Sequence, residues 1–314
     1  MAADTQTTTR PPSTGGLGGW LPDRVDTRIR VFAWLSFVAE VLIIATGGAV
    51  RLTGSGLGCP TWPTCTPESL VNTPEMGIHG IIEFGNRTLT GLVGILALIV
   101  LVLVWRLRRE RRDLFRLALV VLIGVAAQAL VGGVTVLTGL NPFIVGFHYV
   151  ASLTLVCVCA AFLVRMNSAP GARVRAVPRW YALLTHITTP VLALTIAFGV
   201  LTTGAGPHSG DADAGRNGFN AEVLEHVHAW PGYALFALTL VLTIAAWAQR
   251  LPVRTWVTAL LGVEIVQILI GLYQARNGLP ELAVGTHMVL AALTAAAMTV
   301  VVLKLKTTAS TADA

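Results

Sequence analysis

Four histidines hold equivalent places in this chain. His79, His148, His228 and His287 each stand near the start of a long apolar run, and His79 recurs as His228 after 149 residues. The second pair sits in a longer repeated pattern. Gln128, Gly132, Gly139, Gly146 and His148 recur without a gap as Gln267, Gly271, Gly278, Gly285 and His287, each displaced by 139 residues. Neutral imidazole is a common metal ligand and axial ligand to haem iron. Two histidines in each half of the chain predict two bis-histidine haem sites, with a bare metal site or a proton relay as the alternatives. His186, His208 and His226 have no counterparts in the repeat and read as solvated or interfacial.

The halves differ beside these histidines. His79, Glu83, Asn86 and Arg87 are spaced by four, seven and eight residues, so they share one helix face. The corresponding positions after His228 are Gly232, Leu235 and Phe236. A carboxylate within an apolar run is costly and marks a functional position by default. Glu83 reads either as an acid/base group or as the ion-pair partner of Arg87. Arg87 reads alternatively as the anchor of a haem propionate. Gln128 and Gln267 read as bonding between helices. The repeated glycines read either as room for a flat macrocycle or as close helix packing.

The elements that carry these residues must be membrane helices. The 314 residues are 54% hydrophobic and 12% charged, with a mean hydropathy of +0.71. A soluble domain carries about twice that charge. Eight apolar runs, at about 31–50, 79–105, 114–138, 144–165, 181–203, 223–248, 255–275 and 284–303, approach or exceed the ~20 residues that cross a bilayer. Lipid offers backbone groups no hydrogen-bond partner, so these runs must be helical. The fold class expected is an all-α integral membrane protein with eight transmembrane helices in two parallel four-helix-bundle repeats. Residues 1–30 read as a polar cytoplasmic tail without fixed structure, 31–165 as the N-terminal bundle, 166–180 as a cytoplasmic linker, 181–303 as the C-terminal bundle and 304–314 as a cytoplasmic tail. Each half has an even number of spans, which argues against an inverted-repeat transporter.

The net charge of +6 is topological and gives no sign of nucleic-acid binding. Basic residues crowd the tails and alternate loops, which places both termini in the cytoplasm of a bacterial cell membrane. Four arginines depart from that pattern: Arg51, Arg87, Arg216 and Arg276. Cys157 and Cys159 lie inside a span and read as small core residues. Cys59 and Cys65 lie in the first outer loop with Pro60, Trp62 and Pro63 between them. Their separation permits a small disulfide-closed loop, structural or redox-active.

Three stretches carry a resemblance. Gly48-Ala49-Val50-Arg51-Leu52-Thr53-Gly54-Ser55-Gly56-Leu57-Gly58-Cys59-Pro60-Thr61-Trp62-Pro63-Thr64-Cys65, then Glu83-Phe84-Gly85-Asn86-Arg87, then the helix-starting histidines resemble the haem A synthase family over about residues 31–303. The resemblance implies oxidation of one methyl of haem O to the formyl group of haem A, for assembly of haem-copper terminal oxidases. It implies the haem substrate in the N-terminal half and haem b in the C-terminal half. The family's essential carboxylate matches Glu83, and its paired loop cysteines match Cys59 and Cys65. Its haem b ligands match His228 and His287, and one N-terminal ligand matches His148. Many members carry a histidine directly before the motif arginine, where this chain has Asn86. Repeat register makes His79 the other N-terminal ligand, with Asn86 lining the pocket. The implied partners are haem O, membrane lipid, an electron acceptor of unstated kind and the farnesyltransferase that makes haem O. The rival reading is a di-haem membrane cytochrome carrying electrons between quinol and another carrier.

Overall fold

A computed structural model describes residues 21–309. The expectation of an unstructured N-terminal tail falls, for residues 1–20, outside the described residues, as does the end of the C-terminal tail from 310. The rest is built on eight long helices: α1 (Thr27–Leu52), α2 (Gly77–Leu103), α3 (Arg112–Leu137), α4 (Pro142–Met166), α5 (Arg179–Ala205), α6 (Ala221–Ala248), α7 (Arg254–Arg276) and α8 (Glu281–Lys304). All eight are long and apolar enough to cross a membrane. This is the expected all-α multi-span architecture.

Three helices start a few residues before their apolar stretches, where a polar residue caps each. Asp26 accepts from the Ile29 amide at 3.0 Å, so α1 starts at Thr27 and not at 31. Asn141 caps α4 through the Phe143 amide, with Pro142 in the first turn, and Asn220 caps α6 through the Val223 amide. Each such bond satisfies a donor that the helix itself leaves open.

The outer surface is apolar, unlike that of a soluble protein, and several polar residues are buried. Leu92, Ile95, Leu98, Ile123, Leu130, Leu183, Ile244 and Leu269 are exposed, whereas Ser36, Glu40, Thr185, Thr188, Thr239 and Glu264 are buried. That is the arrangement a lipid solvent selects. Buried threonines meet the demand locally: Thr185 donates to the Tyr181 carbonyl and Thr243 to the Thr239 carbonyl, each one turn back.

α1–α4 pack together and α5–α8 pack together, and the two groups meet mainly where α4 and α1 lie against α8. Ile44, Leu153, Val156, Ala160, Ala292, Ala295 and Ala296 form the apolar seam between them. The Tyr149 hydroxyl crosses it to the Met288 carbonyl at 2.8 Å.

The loops at 53–76, 138–141, 206–220 and 277–280 close one end of the bundle as a shared cap. The Gly56 amide donates to the Gly210 carbonyl at 2.7 Å, Leu140 packs on both glycines, and His208 Nε2 bonds the Leu279 carbonyl at 2.9 Å. His208, half-buried and read as solvated or interfacial, is a fastener of the cap. At the opposite end, the linker and the C-terminal tail are joined by a feature the all-helical expectation lacks. β1 (Arg173–Arg175) and β2 (Lys306–Thr308) pair antiparallel, with Val174 opposite Thr307.

The seam bond gives a direct test. Tyr149→Phe removes the hydroxyl that links the two bundles and should cost about 1 kcal/mol, read as a lower unfolding midpoint in detergent. Thr154→Val, whose exposed hydroxyl bonds only its own helix, should leave the midpoint unchanged. Equal effects would show that the seam bond contributes nothing.

Candidate functional site

His228 of α6 and His287 of α8 face each other. Their ring centres are 6.2 Å apart and the planes are inclined by 79°. An ion held between two imidazoles needs about 2 Å from metal to nitrogen on each side. A further ~1 Å runs from nitrogen to ring centre in rings of about 1.35 Å bonds. The observed spacing matches that requirement. His228 Nδ1 is fixed by the Thr195 carbonyl at 2.8 Å, which leaves Nε2 as its ligand atom. Among the described residues no three His, Cys, Asp or Glu side chains converge as a metal site. An ion held by this pair would draw its remaining ligands from a group such as a porphyrin.

The helices facing the rings are cut back to glycine. A Cβ on Gly199 of α5 would lie 2.8 Å from His228 Cε1, and one on Gly271 of α7 would lie 3.1 Å from His287 Cε1. Gly132 of α3 stands in the same relation to His148, at 3.5 Å. The repeated glycines thus divide into three uses. Gly132 and Gly271 seat histidine rings. Gly139 and Gly278 take positive φ of 59° and 72° in the turns before α4 and α8, where a side chain is disfavoured. Gly146 and Gly285 pack across the seam against Val200 and Leu52.

The repeated glutamines do the same work twice. Gln128 Nε2 donates to the His148 carbonyl at 2.7 Å, and Gln267 Nε2 to the His287 carbonyl at 3.0 Å. Each ties the first turns of a histidine helix to the helix before it. His148 and His287 share a further feature: in both, Nδ1 is buried without a hydrogen-bond partner.

His79 is placed differently from His228. It is exposed, and its Nδ1 meets the Ser55 hydroxyl at 2.9 Å. Among the described residues the histidine pair in ring contact is His228–His287, and His79 and His148 form no such pair. Asn86 accepts from the Thr46 hydroxyl of α1 at 2.7 Å.

Glu83, Arg87 and the disulfide loop form one unit. Glu83 is 4% exposed. Its Oε2 accepts from the Cys59 amide at 2.6 Å, and its Oε1 accepts from Arg87 Nη2 at 2.5 Å and Nε at 3.2 Å. Arg87 Nη2 also donates to the Cys59 carbonyl, and Nη1 to the carbonyls of Thr61 and Thr64. All five guanidinium donors are thereby engaged. Of the two roles open to Arg87 in the sequence, this geometry is the ion pair; a propionate would have to displace loop carbonyls. Cys59 and Cys65 are joined by a disulfide with Cα atoms 4.5 Å apart, and both are fully buried. Trp62, between them, packs so closely on Gly133 of α3 that any side chain there would collide with the indole. Gly133 adjoins Gly132 at the His148 ring, so the loop reaches the same turn of α3 that His148 meets. That contact was signalled in the sequence only by the tandem glycines.

Arg87→Gln should cost about 3–5 kcal/mol, because it strands the buried Glu83 and releases three loop carbonyls. Gly58→Ala should cost about 1–3 kcal/mol, since its methyl would run into the His79 backbone carbonyl. Both should lower the unfolding midpoint and speed protease cleavage within 59–70. Wild-type behaviour of Arg87→Gln would refute the clamp.

Comparison with known proteins follows this geometry. The family model described as cytochrome oxidase assembly protein matches residues 30–207, more than half of the 314 residues. That span includes the disulfide loop, Glu83, Arg87 and His148 and stops before His228. A protein named heme A synthase from Lysinibacillus sphaericus is 34% identical over 141 residues, which cover 44% of this chain and 44% of that protein. One of the same name from Bacillus cereus is 34% identical over 128 residues, 40% of each. A third, from Listeria monocytogenes, is 27% identical over 139 residues, 44% of this chain and 45% of that protein. In each case the aligned stretch spans under half the length of the relative. With its matched half and the clamped loop within it, the chain belongs to the cytochrome oxidase assembly protein family.

Proposed function

We propose that this protein is a haem A synthase, an oxidoreductase of the bacterial cell membrane. In this reading it oxidises a methyl group of haem O to the formyl group of haem A. Both termini face the cytoplasm and the loop cap faces outward. The observation that carries the reading is the unequal furnishing of the two bundles. One presents a histidine pair at the spacing of a single axial-ligated ion; the other presents a buried carboxylate held against a disulfide loop. A di-haem cytochrome that only passes electrons would need the first arrangement twice and the second not at all. The names of the three relatives, each similar over part of its length, support the same reading.

His228 and His287 would hold haem b, which when bound supplies one-electron chemistry. Thr195 orients the His228 ring, and Gln267 fixes the helix turn that carries His287. The haem O substrate is assigned to the N-terminal bundle. His148 is its ligand there, His79 the candidate on the other face, and Asn86 lines the pocket. Glu83 is held in place by Arg87 and the Cys59 amide. A carboxylate fixed there would favour positive charge developing on a substrate beside it. The same bonds position the 59–65 loop, with Trp62 against α3. The Cys59–Cys65 bridge fixes the loop's closure. Electrons leave through the C-terminal site to an acceptor outside the chain, and haem O arrives from the farnesyltransferase that makes it.

Extraction and chromatography of the porphyrins bound to purified protein test this. Wild type should yield haem b together with haem O and haem A. Glu83→Gln keeps an oxygen for the Cys59 amide; it should retain haem b and lose haem A by at least tenfold. His228→Ala and His287→Ala should each abolish the low-spin haem b spectrum. Haem b alone from wild type, or undiminished haem A from Glu83→Gln, would reject the synthase reading in favour of a cytochrome.

A further inference from the structure

Arg51 and Arg216 stand together in the cap without an acidic partner. Among the described residues neither has a carboxylate within ion-pair distance, and the two guanidiniums lie within electrostatic range of each other. Arg51 donates through Nε to the His208 carbonyl at 2.7 Å and through Nη2 to the Thr203 carbonyl at 2.9 Å. Its Nη1 donors have no acceptor among the described residues. Arg216 donates to the carbonyls of Ala214 and Pro207 at 3.0 and 2.6 Å. Two like charges fastened to the consecutive carbonyls of Pro207 and His208 repel each other. Arg216 is exposed, but Arg51 is half-buried, and removing a guanidinium from water without a counter-charge is costly. Such a pair is built for an anion.

Its position says which anion. Thr203 is one turn beyond Gly199, the residue against the His228 ring. Leu52, next to Arg51, packs on Gly285, two residues before His287. The Arg51 guanidinium, bonded to the Thr203 carbonyl, therefore lies about one helical turn, roughly 6 Å, outward of the histidine pair, and Arg216 is fastened to the Pro207 carbonyl just beyond it. Arg51 belongs to α1 of the N-terminal bundle, yet both its acceptors belong to the C-terminal half.

We propose that Arg51 and Arg216 bind the carboxylates of the haem held between His228 and His287, so that the N-terminal bundle supplies part of the C-terminal cofactor site. The proposal rests on the haem b reading above. Guanidinium–carboxylate contacts of this kind are strong and geometrically selective. They also explain why these two arginines depart from the basic-loop pattern of the rest of the chain.

The test compares haem b with its dimethyl ester, which lacks the negative charges but keeps the iron and ring. Full-length protein expressed without haem is reconstituted with each, and binding is followed by the low-spin bis-histidine spectrum. Wild type should bind haem b at least tenfold more tightly than the diester. Arg51→Gln and Arg216→Gln should each shrink that preference by weakening haem b and leaving the diester unchanged, and Arg51→Lys should keep part of it. The preference of wild type and of Arg216→Gln is decisive even if Arg51→Gln fails to fold. Equal affinity of wild type for the two forms, or an undiminished preference in Arg216→Gln, would assign the pair to loop fastening or a lipid headgroup and overturn the proposal. Failure of the haem b reading itself would look different: no low-spin spectrum with either form.

Discussion

The buried Glu83–Arg87 pair is the constraint from which the N-terminal half is organised. A carboxylate 4% exposed within a lipid-embedded bundle has no solvent to stabilise it, so the chain must provide every donor it needs. One comes from Arg87, a turn further along the same helix, and another from the Cys59 amide of the preceding loop. The guanidinium then has donors to spare and spends them on the carbonyls of Cys59, Thr61 and Thr64. A single ion pair thus fixes a whole loop. Gly58 has to be glycine for the loop to lie this close to α2, and Gly133 must be glycine for Trp62 to reach α3. The disulfide closes what the ion pair positions.

The two halves share a scaffold and differ in chemistry. The glutamine-to-histidine-helix bond occurs in both, as does a glycine under the ring of the second histidine. The first histidines diverge. His228 turns inward, is held by a helix carbonyl and meets its partner ring. His79 turns to Ser55 at the edge of the cap. The difference follows from what comes before each helix. The 53–76 loop folds down on α2 and occupies its inner face through Glu83. The 206–220 loop is anchored by Arg51 and Arg216 and leaves the inner face of α6 open to His287.

This also sets the limits of what could be read from residues alone. The spans were legible because hydropathy and length suffice in lipid. The glutamine–histidine bond was legible because an identical spacing appears twice. The Glu83–Arg87 pair showed itself as a four-residue spacing, but nothing local indicates that loop carbonyls 23 to 28 residues away would use up the guanidinium. The His79 bond was hidden for the same reason. Repeat register gives His79 and His228 equivalent backbone places, while the hydroxyl that meets the His79 ring belongs to Ser55, where the other half has Ala205. The β1–β2 pair is three residues on each side, too short for alternation to register. The bond of His208 was not legible because its acceptor, the Leu279 carbonyl, is 71 residues distant.

Arginine placement joins these observations. Within a helix the backbone carbonyls already accept from the next turn, so loops and the last turn of a helix offer a guanidinium its most open acceptors. The bonded arginines follow that rule. Arg87 uses loop carbonyls, Arg51 uses Thr203 in the last turn of α5 and His208 beyond it, and Arg111 uses Arg165 in the last turn of α4. The ends of the bundle are therefore where these guanidiniums are held and where the loops make the halves unlike. A duplicated bundle that acquires different tasks in its two halves should differ most in its cap. In this chain the disulfide loop, Glu83's amide donor and the unpaired arginines are all found there.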